Sequence, residues 1–266
     1  MRDKKALFLV LSIFVLVAAG CGGGGDGTGL PPAPAGGGGG STGTGPAYDP
    51  STATATVTGS IMFEGTPPEM PLVQMAADPY CQQNFSGARS KEVVVTDDGK
   101  LEYVIVYVRS GHEGASYSVP TDPVLIDQMG CSYHPHAFTM MSGQTLTIRN
   151  SDATLHNIHA WAEVNTPFNI GQPVQNMETM QVFAQPEMPL PMRCDVHRWM
   201  EAFIGVFDHP FHTNSGETGD YTLRLPPGTY ELVAWHERYG EQVSTVTVGD
   251  GETVDLNFAF AADAAD

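Results

Sequence analysis

Positive charge is scarce in this chain. Of 266 residues 12 are Lys or Arg, against 30 Asp or Glu, and the formal net charge is −18. So acidic a polymer is poorly matched to nucleic acid or to an anionic membrane surface, which leaves a basic partner protein or plain solubility as the use of the charge. Cysteine is also rare, with 4 residues, too few for a disulfide-dense scaffold. No stretch after residue 20 is long and apolar enough to span a bilayer. No segment keeps a helical apolar period over ten or more residues, which sets aside a helical bundle. Neither a Ser-His-Asp order nor a paired-carboxylate motif stands out, so no motif supports hydrolysis and the chain is not expected to be an enzyme.

What is present begins with an export signal. Met1-Arg2-Asp3-Lys4-Lys5 is a charged start, and Ala6 to Ala19 is an apolar run too short for a comfortable membrane span, the pattern of a signal-peptide core. It closes on Val17-Ala18-Ala19-Gly20-Cys21. Small residues before a Cys resemble the lipobox of bacterial lipoproteins, with Ala18 where that motif usually has Leu. The resemblance implies that residues 1–21 are a signal, that Cys21 carries lipid at the mature N-terminus, and that the protein is held to a membrane outside the cytoplasm, in the periplasm or cell envelope. A plain secretory signal with an incidental Cys is the alternative. Residues 22–51 are mostly Gly, Pro, Ser, Thr and Ala, which bury too little surface to offset ordering entropy, so a flexible tether is expected there.

From residue 52 the pattern is short β-type runs between turn residues: Thr56–Phe63, Val124–Asp127, Ala137–Met140, Gln144–Ile148, Ala202–Phe207, Val243–Val248 and Thr253–Phe260. Lys91–Val95 and Leu101–Val108 flank Asp97-Asp98-Gly99, and Tyr221–Leu225 and Thr229–Trp235 flank Pro226-Pro227-Gly228. Both pairs read as hairpins. The fold class expected is all-β, a sandwich or barrel.

The most telling segment is Arg193-Cys194-Asp195-Val196-His197-Arg198-Trp199-Met200. A thiolate, an imidazole and a thioether on one loop are a soft donor set. Soft donors select copper, and one Cys with two His and a weak axial Met is the blue-copper electron-transfer arrangement. The second His is supplied upstream by His156, shortly after the Gln144–Ile148 run. Zinc would gain little from a thioether. A buried Cys, a surface His and a Met used as core filler are the bland alternative, each common alone.

These residues also carry a family resemblance. Ser142-Gly-Gln-Thr-Leu-Thr-Ile-Arg-Asn150, followed by Leu155-His156-Asn157-Ile158, resembles the first-histidine segment of plastocyanin-type cupredoxins. Cys194-Asp-Val-His197-Arg-Trp-Met200 resembles their second segment, with the short His-to-Met spacing of amicyanin. The resemblance implies a cupredoxin-like Greek-key β-sandwich over residues 119–208 and one mononuclear type 1 copper site. His156, Cys194, His197 and Met200 would be its ligands, and Asn157 would tie the two ligand loops. It further implies that His197 is the surface electron port, with Pro191 and Trp199 around it. Arg193 and Asp195 flank the Cys where multicopper oxidases carry His, and no second Cys stands near as in the binuclear centre of cytochrome oxidase.

The flanks resemble another family. Thr222-Leu-Arg-Leu-Pro-Pro-Gly-Thr-Tyr-Glu-Leu-Val-Ala-Trp235 and Val57-Thr-Gly-Ser-Ile-Met-Phe-Glu-Gly65 are similar to the last hairpin and first strand of carboxypeptidase regulatory-like (transthyretin-like) modules. A second regulatory-like β-sandwich is therefore expected from residues 52–118 and 209–262, split by the copper domain. A single enlarged sandwich is the rival.

Cys81 and Cys131 remain. Outside the cytoplasm a leftover pair is most simply a disulfide, with free thiols or a second metal site as alternatives. His134 and His136 alternate and would share one strand face, where they could hold a second metal; hydrogen-bonded or surface roles are commoner. Asp208-His209-Pro-Phe-His212 reads as a linker. The function expected is exported, lipid-anchored one-electron transfer between redox partner proteins. Copper delivery or storage, or a non-metal envelope β module, are the alternatives.

Overall fold

The computed structural model describes residues 41–262; the export signal, Cys21 and residues 22–40 of the expected tether lie outside the described residues. The described chain is all-β apart from the α-helix Pro79–Phe85 and the 3-10 turn Pro50–Thr52. None of its helices is long and apolar enough to cross a membrane.

The strands that hold the candidate ligands build two sheets. One runs Met177–Val182, Thr145–Asn150, Val124–Met129, Ser132–His134; the other runs Phe168–Gln172, His156–Ala160, Glu187–Arg193, Glu201–Phe207, Ala137–Met141. Each contains one parallel pair, Val124–Met129 with Thr145–Asn150 and Glu201–Phe207 with Ala137–Met141. Inward side chains from both sheets share a core that includes Ile126, Leu146 and Ile148 from the first and Met140, Ile158, Met192 and Ile204 from the second.

The flanking strands build a second pair of sheets. Its first runs His212–Asn214, Ile105–Ser110, Gly228–His236, Gly240–Val248. Its second runs Asp220–Leu225, Ala55–Glu64, Thr253–Asp255, with Phe258–Ala261 also on Ala55–Glu64. Val57, Ile61, Leu223 and Phe260 meet Val106, Val108, Leu232 and Val246 in a separate core. The strands thus divide into two sandwiches rather than one continuous pair of sheets.

A third cluster joins them. Tyr103, Ile105, Tyr107, Val233 and Trp235 pack against Ala137, Phe203 and Phe207. This explains the unbroken apolar runs. In Glu201–Phe207, Ala202, Ile204 and Val206 face the ligand-bearing core, while Phe203 and Phe207 face the other sandwich. A strand buried on both faces needs no polar alternation. Gly205 leaves room for this packing, since a Cβ there would lie 2.5 Å from the Phe207 ring.

Three expectations change. Tyr221–Leu225 and Thr229–Trp235 are not a hairpin: Asp220–Leu225 pairs with Ala55–Glu64, and Gly228–His236 pairs with Gly240–Val248 and Ile105–Ser110. The Pro226-Pro227-Gly228 turn carries the chain from one sheet to the other. The Lys91–Val108 hairpin shrinks to a bridge between Val95 and Leu101, because Tyr103 takes a positive φ of 60° and turns the chain before the strand Ile105–Ser110 begins. The expected tether is docked over its last residues. Ser41–Thr42 pairs with Tyr117–Ser118, and the Tyr48 ring packs 5.2 Å from Tyr117 and 5.4 Å from Phe211; one aromatic residue in a Gly-rich run supplies the buried surface that holds it.

Candidate metal centre

His156 opens the strand His156–Ala160, and Cys194 follows directly on Glu187–Arg193. These strands pair antiparallel, with Arg193 opposite His159, so Cys194 emerges beside the His156 end. The loop that follows is closed by its own backbone: the Cys194 N–H donates to Met200 O at 3.1 Å and the Met200 N–H to His197 O at 2.8 Å. The His197 N–H donates to Cys194 Sγ at 3.2 Å. Cys194, His197 and Met200 are therefore turned inward together, at 2 %, 1 % and 1 % exposure, and His156 is fully buried.

One donor atom from each of His156, Cys194 and His197 lies within 4.8 Å of the others. Met200 is buried with Cys194 in the same core cluster. The two imidazoles face each other through Nδ1, 2.8 Å apart. Their far edges are held by carboxylates, His156 Nε2 by Asp152 Oδ2 at 2.9 Å and His197 Nε2 by Asp78 Oδ2 at 3.0 Å. A carboxylate only accepts, so each neutral ring donates from Nε2 and turns an Nδ1 lone pair on its neighbour. Two buried lone pairs in contact are relieved by a proton shared between them or by a metal ion that both nitrogens bind. Together with the adjacent thiolate and thioether, this donor set fits copper.

Electrostatics agree. Burial pushes the Cys194 thiol up, but hydrogen bonds from His156 and His197 and the backbone of Asn157 and His197 outweigh it and bring the thiol down to about 6. Burial would push His156 down, yet Asp152 and Cys194 raise it. Burial raises Asp152, and the bonds from His156, Cys131 and Gly130 lower it further than that. Asp78 is lowered in the same way, by Cys81, Thr154 and His197 against its burial.

Asn157 lies where the two ligand loops meet. Its Oδ1 accepts the Asp195 N–H at 2.5 Å, its Nδ2 bonds Asn169 Oδ1, and its carbonyl accepts the Tyr133 hydroxyl at 2.6 Å. Cys81 and Cys131 form a disulfide, packed with Met75 beside Val73, Tyr80, Phe85 and Trp199.

His197 is not a surface port. Its ring is covered by Asp78, at the N-cap of helix Pro79–Phe85, and by Trp199, whose ring centre lies 4.9 Å away. Trp199 is itself fixed by its Nε1–H donating to Cys131 O at 3.0 Å. Pro191 lies apart, lining a cavity with Trp161, Val164 and Pro189. His134 and His136 line one cavity with Glu237 but do not form a metal-ligand group with it. His134 ends the strand Ser132–His134 of one sheet, whereas His136 directly precedes Ala137–Met141 of the other and is tied to Glu237. Among the described residues neither joins a group of three possible ligands.

Asp78 and Asp152 were not expected from sequence. Asp78-Pro79 is a legible helix N-cap signal, and Asp152 sits four residues before His156, but nothing local ties either to an imidazole.

No curated protein matches the chain. Residues 202–261 match the family model of the carboxypeptidase regulatory-like domain. That match starts inside Glu201–Phe207, the strand that leaves the ligand loop. Among solved structures, a Cu(I) amicyanin variant is similar over 32 % of this chain and 81 % of its own, at 20 % identity and a TM-score of 0.29. A purple cupredoxin from Nitrosopumilus maritimus is similar over 31 % of this chain and 98 % of its own, at 21 % identity and a TM-score of 0.27. A Cu-containing nitrite reductase from Thermus scotoductus is similar over 38 % of this chain and 25 % of its own, at 18 % identity and a TM-score of 0.29. Likenesses this partial are silent on what the chain does.

Proposed function

We propose that the protein is an exported, lipid-anchored copper protein that carries single electrons between redox partner proteins, without catalysing a reaction of its own. The observation that carries this reading is the convergence of two imidazole Nδ1 atoms, 2.8 Å apart, on the buried Cys194 thiol with Met200 in the same cluster. His156, Cys194 and His197 would hold the ion, with the Met200 thioether as a weaker fourth donor. Copper held there would supply one-electron redox chemistry, and the exchange would be with a reduced donor protein and an oxidised acceptor protein.

The chain's part is to keep the donors still. His197 N–H and Met200 N–H lock the loop, Asn157 ties it to the His156 strand, and two sheets frame it, so the change of charge requires little motion. The depressed thiol supplies the thiolate. Leu155 and Val196 are exposed, at 43 % and 45 %, and each precedes a ligand histidine by one residue. They give a partner protein an apolar contact beside the site. Closure of the site by Asp78 and the stapled helix disfavours delivery or storage, which needs an ion that leaves.

The test is an absorption spectrum with metal analysis. Copper-loaded protein should show an intense visible thiolate-to-copper band at one copper per chain, and Cys194→Ser should abolish it. A colourless protein that takes only Cu(I) would replace electron transfer by delivery or storage.

A further inference from the structure

We propose that Asp78 and Asp152 are paired positioning residues for the metal ligands, each aiming one imidazole at the ion and holding electron density on its Nδ1. This rests on the copper reading above.

The two carboxylates do the same work from unrelated segments. Asp152 is 2 % exposed. Its Oδ2 accepts His156 Nε2 at 2.9 Å and the Cys131 N–H at 2.7 Å, and its Oδ1 accepts the Gly130 N–H at 2.9 Å. Asp78 caps its helix through Oδ1 alone, which accepts the N–H groups of Tyr80 and Cys81 at 2.8 and 3.0 Å. A cap needs nothing more. Its Oδ2 is left to accept His197 Nε2 at 3.0 Å and the Thr154 hydroxyl at 2.8 Å.

The Cys81–Cys131 disulfide joins these two frames. Cys81 donates its N–H to Asp78 and Cys131 donates its N–H to Asp152. Thr154 lies between Asp152 and His156 in sequence and binds Asp78, so both carboxylates are also braced on the loop that delivers the first ligand. One covalent staple thus holds both anions against both rings. Buried charges are expensive unless paired, and here both are paired to the same site.

A carboxylate on the far nitrogen fixes the tautomer and raises ligand basicity. That favours the more highly charged Cu(II) over Cu(I). Asn at either position can keep its one acceptor oxygen on the imidazole and removes the charge, at the cost of the backbone N–H bonds made by the other oxygen. Asp78→Asn and Asp152→Asn should each move the reduction potential positive and weaken Cu(II) binding by about 10- to 100-fold. Glu178→Gln, which removes one charge from an exposed pair with Arg149, should move neither. Thr154→Val leaves both carboxylates and loosens Asp78; a smaller shift of the same sign is expected. If Asp152→Asn does not fold, Asp78→Asn and Thr154→Val carry the test.

Asn variants whose potential and Cu(II) affinity match those of Glu178→Gln, in a protein whose wild type shows the thiolate-to-copper band, would overturn this inference and leave the copper reading standing. A wild type without that band removes both.

Discussion

Taking the metal-free, disulfide-intact protein from about pH 7.5 to about pH 5 protonates an ordinary imidazole, whose pKa is about 6.5, but burial lowers four imidazoles of this fold, His134 among them, and three lie far enough down to resist protonation throughout. Burial, then the neighbouring charges of His112 and His212, depress His209 to about 2. Burial depresses His212 to about 4. Burial, then His136 and Arg238, depress His236 to about 3. The structure shows why: the His209 ring packs among His112, Phe207 and Phe211, His212 stacks on Phe207 with neither ring nitrogen bonded, and His236 stacks on Tyr239. Each folded pKa lies below its unfolded value, so the unfolded chain binds the extra proton first. The stability is complete above about pH 6.5 and is lost as the pH falls below it. Over this window each His forfeits about 2 kcal/mol, because all three folded values lie under pH 5 and shifting any of them by a unit hardly changes the sum. Together that is about 6 kcal/mol, comparable with the whole stability of a typical domain. His156 is raised and returns part of it, the Cys194 thiol, lowered from 9.0 to about 6, adds a further loss as it protonates in the folded state, and Asp78 and Asp152, lowered from 3.8, act only in stronger acid. Urea unfolding at the two pH values measures the difference directly. His209→Gln should flatten the pH dependence by close to one proton. Equal midpoints at both pH values, with no proton uptake on unfolding at the lower one, would refute the reasoning.

Two further outcomes follow from packing and chain connectivity. Gly205→Ala places a Cβ 2.5 Å from the Phe207 ring and 3.1 Å from Met188 Sδ; overpacking between the two sandwiches should cost about 1–3 kcal/mol in urea unfolding. Reducing Cys81–Cys131, which are separated by 50 residues, should cost about 4 kcal/mol by loop-closure entropy, and it should also weaken copper retention, read by chelator competition, because it frees the helix that holds Asp78.

Much of the β framework is legible in the chain because strand signals are local. Thr145–Asn150, Glu201–Phe207 and Gly240–Val248 lie where β-branched and aromatic runs end in Gly or Asp. What failed was pairing. Tyr221–Leu225 and Thr229–Trp235 flank a Pro-Pro-Gly turn that suits a hairpin, yet they join opposite sheets because Leu232 and Ala234 face one core while Val233 and Trp235 face another. A strand wanted on both sides goes to the middle of the molecule, and turn chemistry cannot report that. Phe168–Gln172 and Met177–Val182 are not legible because burial there departs from residue type: Gln172 is buried in the first and Met180 is exposed in the second.

Three of the four candidate donors were placed together by the sequence alone, while His156 reaches them only through strand pairing. Cys194, His197 and Met200 share a loop too short to separate them, and the chemistry of a thiol, an imidazole and a thioether does not depend on what surrounds them. How that site is enclosed was decided only by the tertiary structure. Asp78 meets His197 across 119 residues, and the expected surface port is buried as a result. A contact of that span exists only because a disulfide and two packed cores bring its ends together, and no local pattern of residue types encodes which distant carboxylate will arrive.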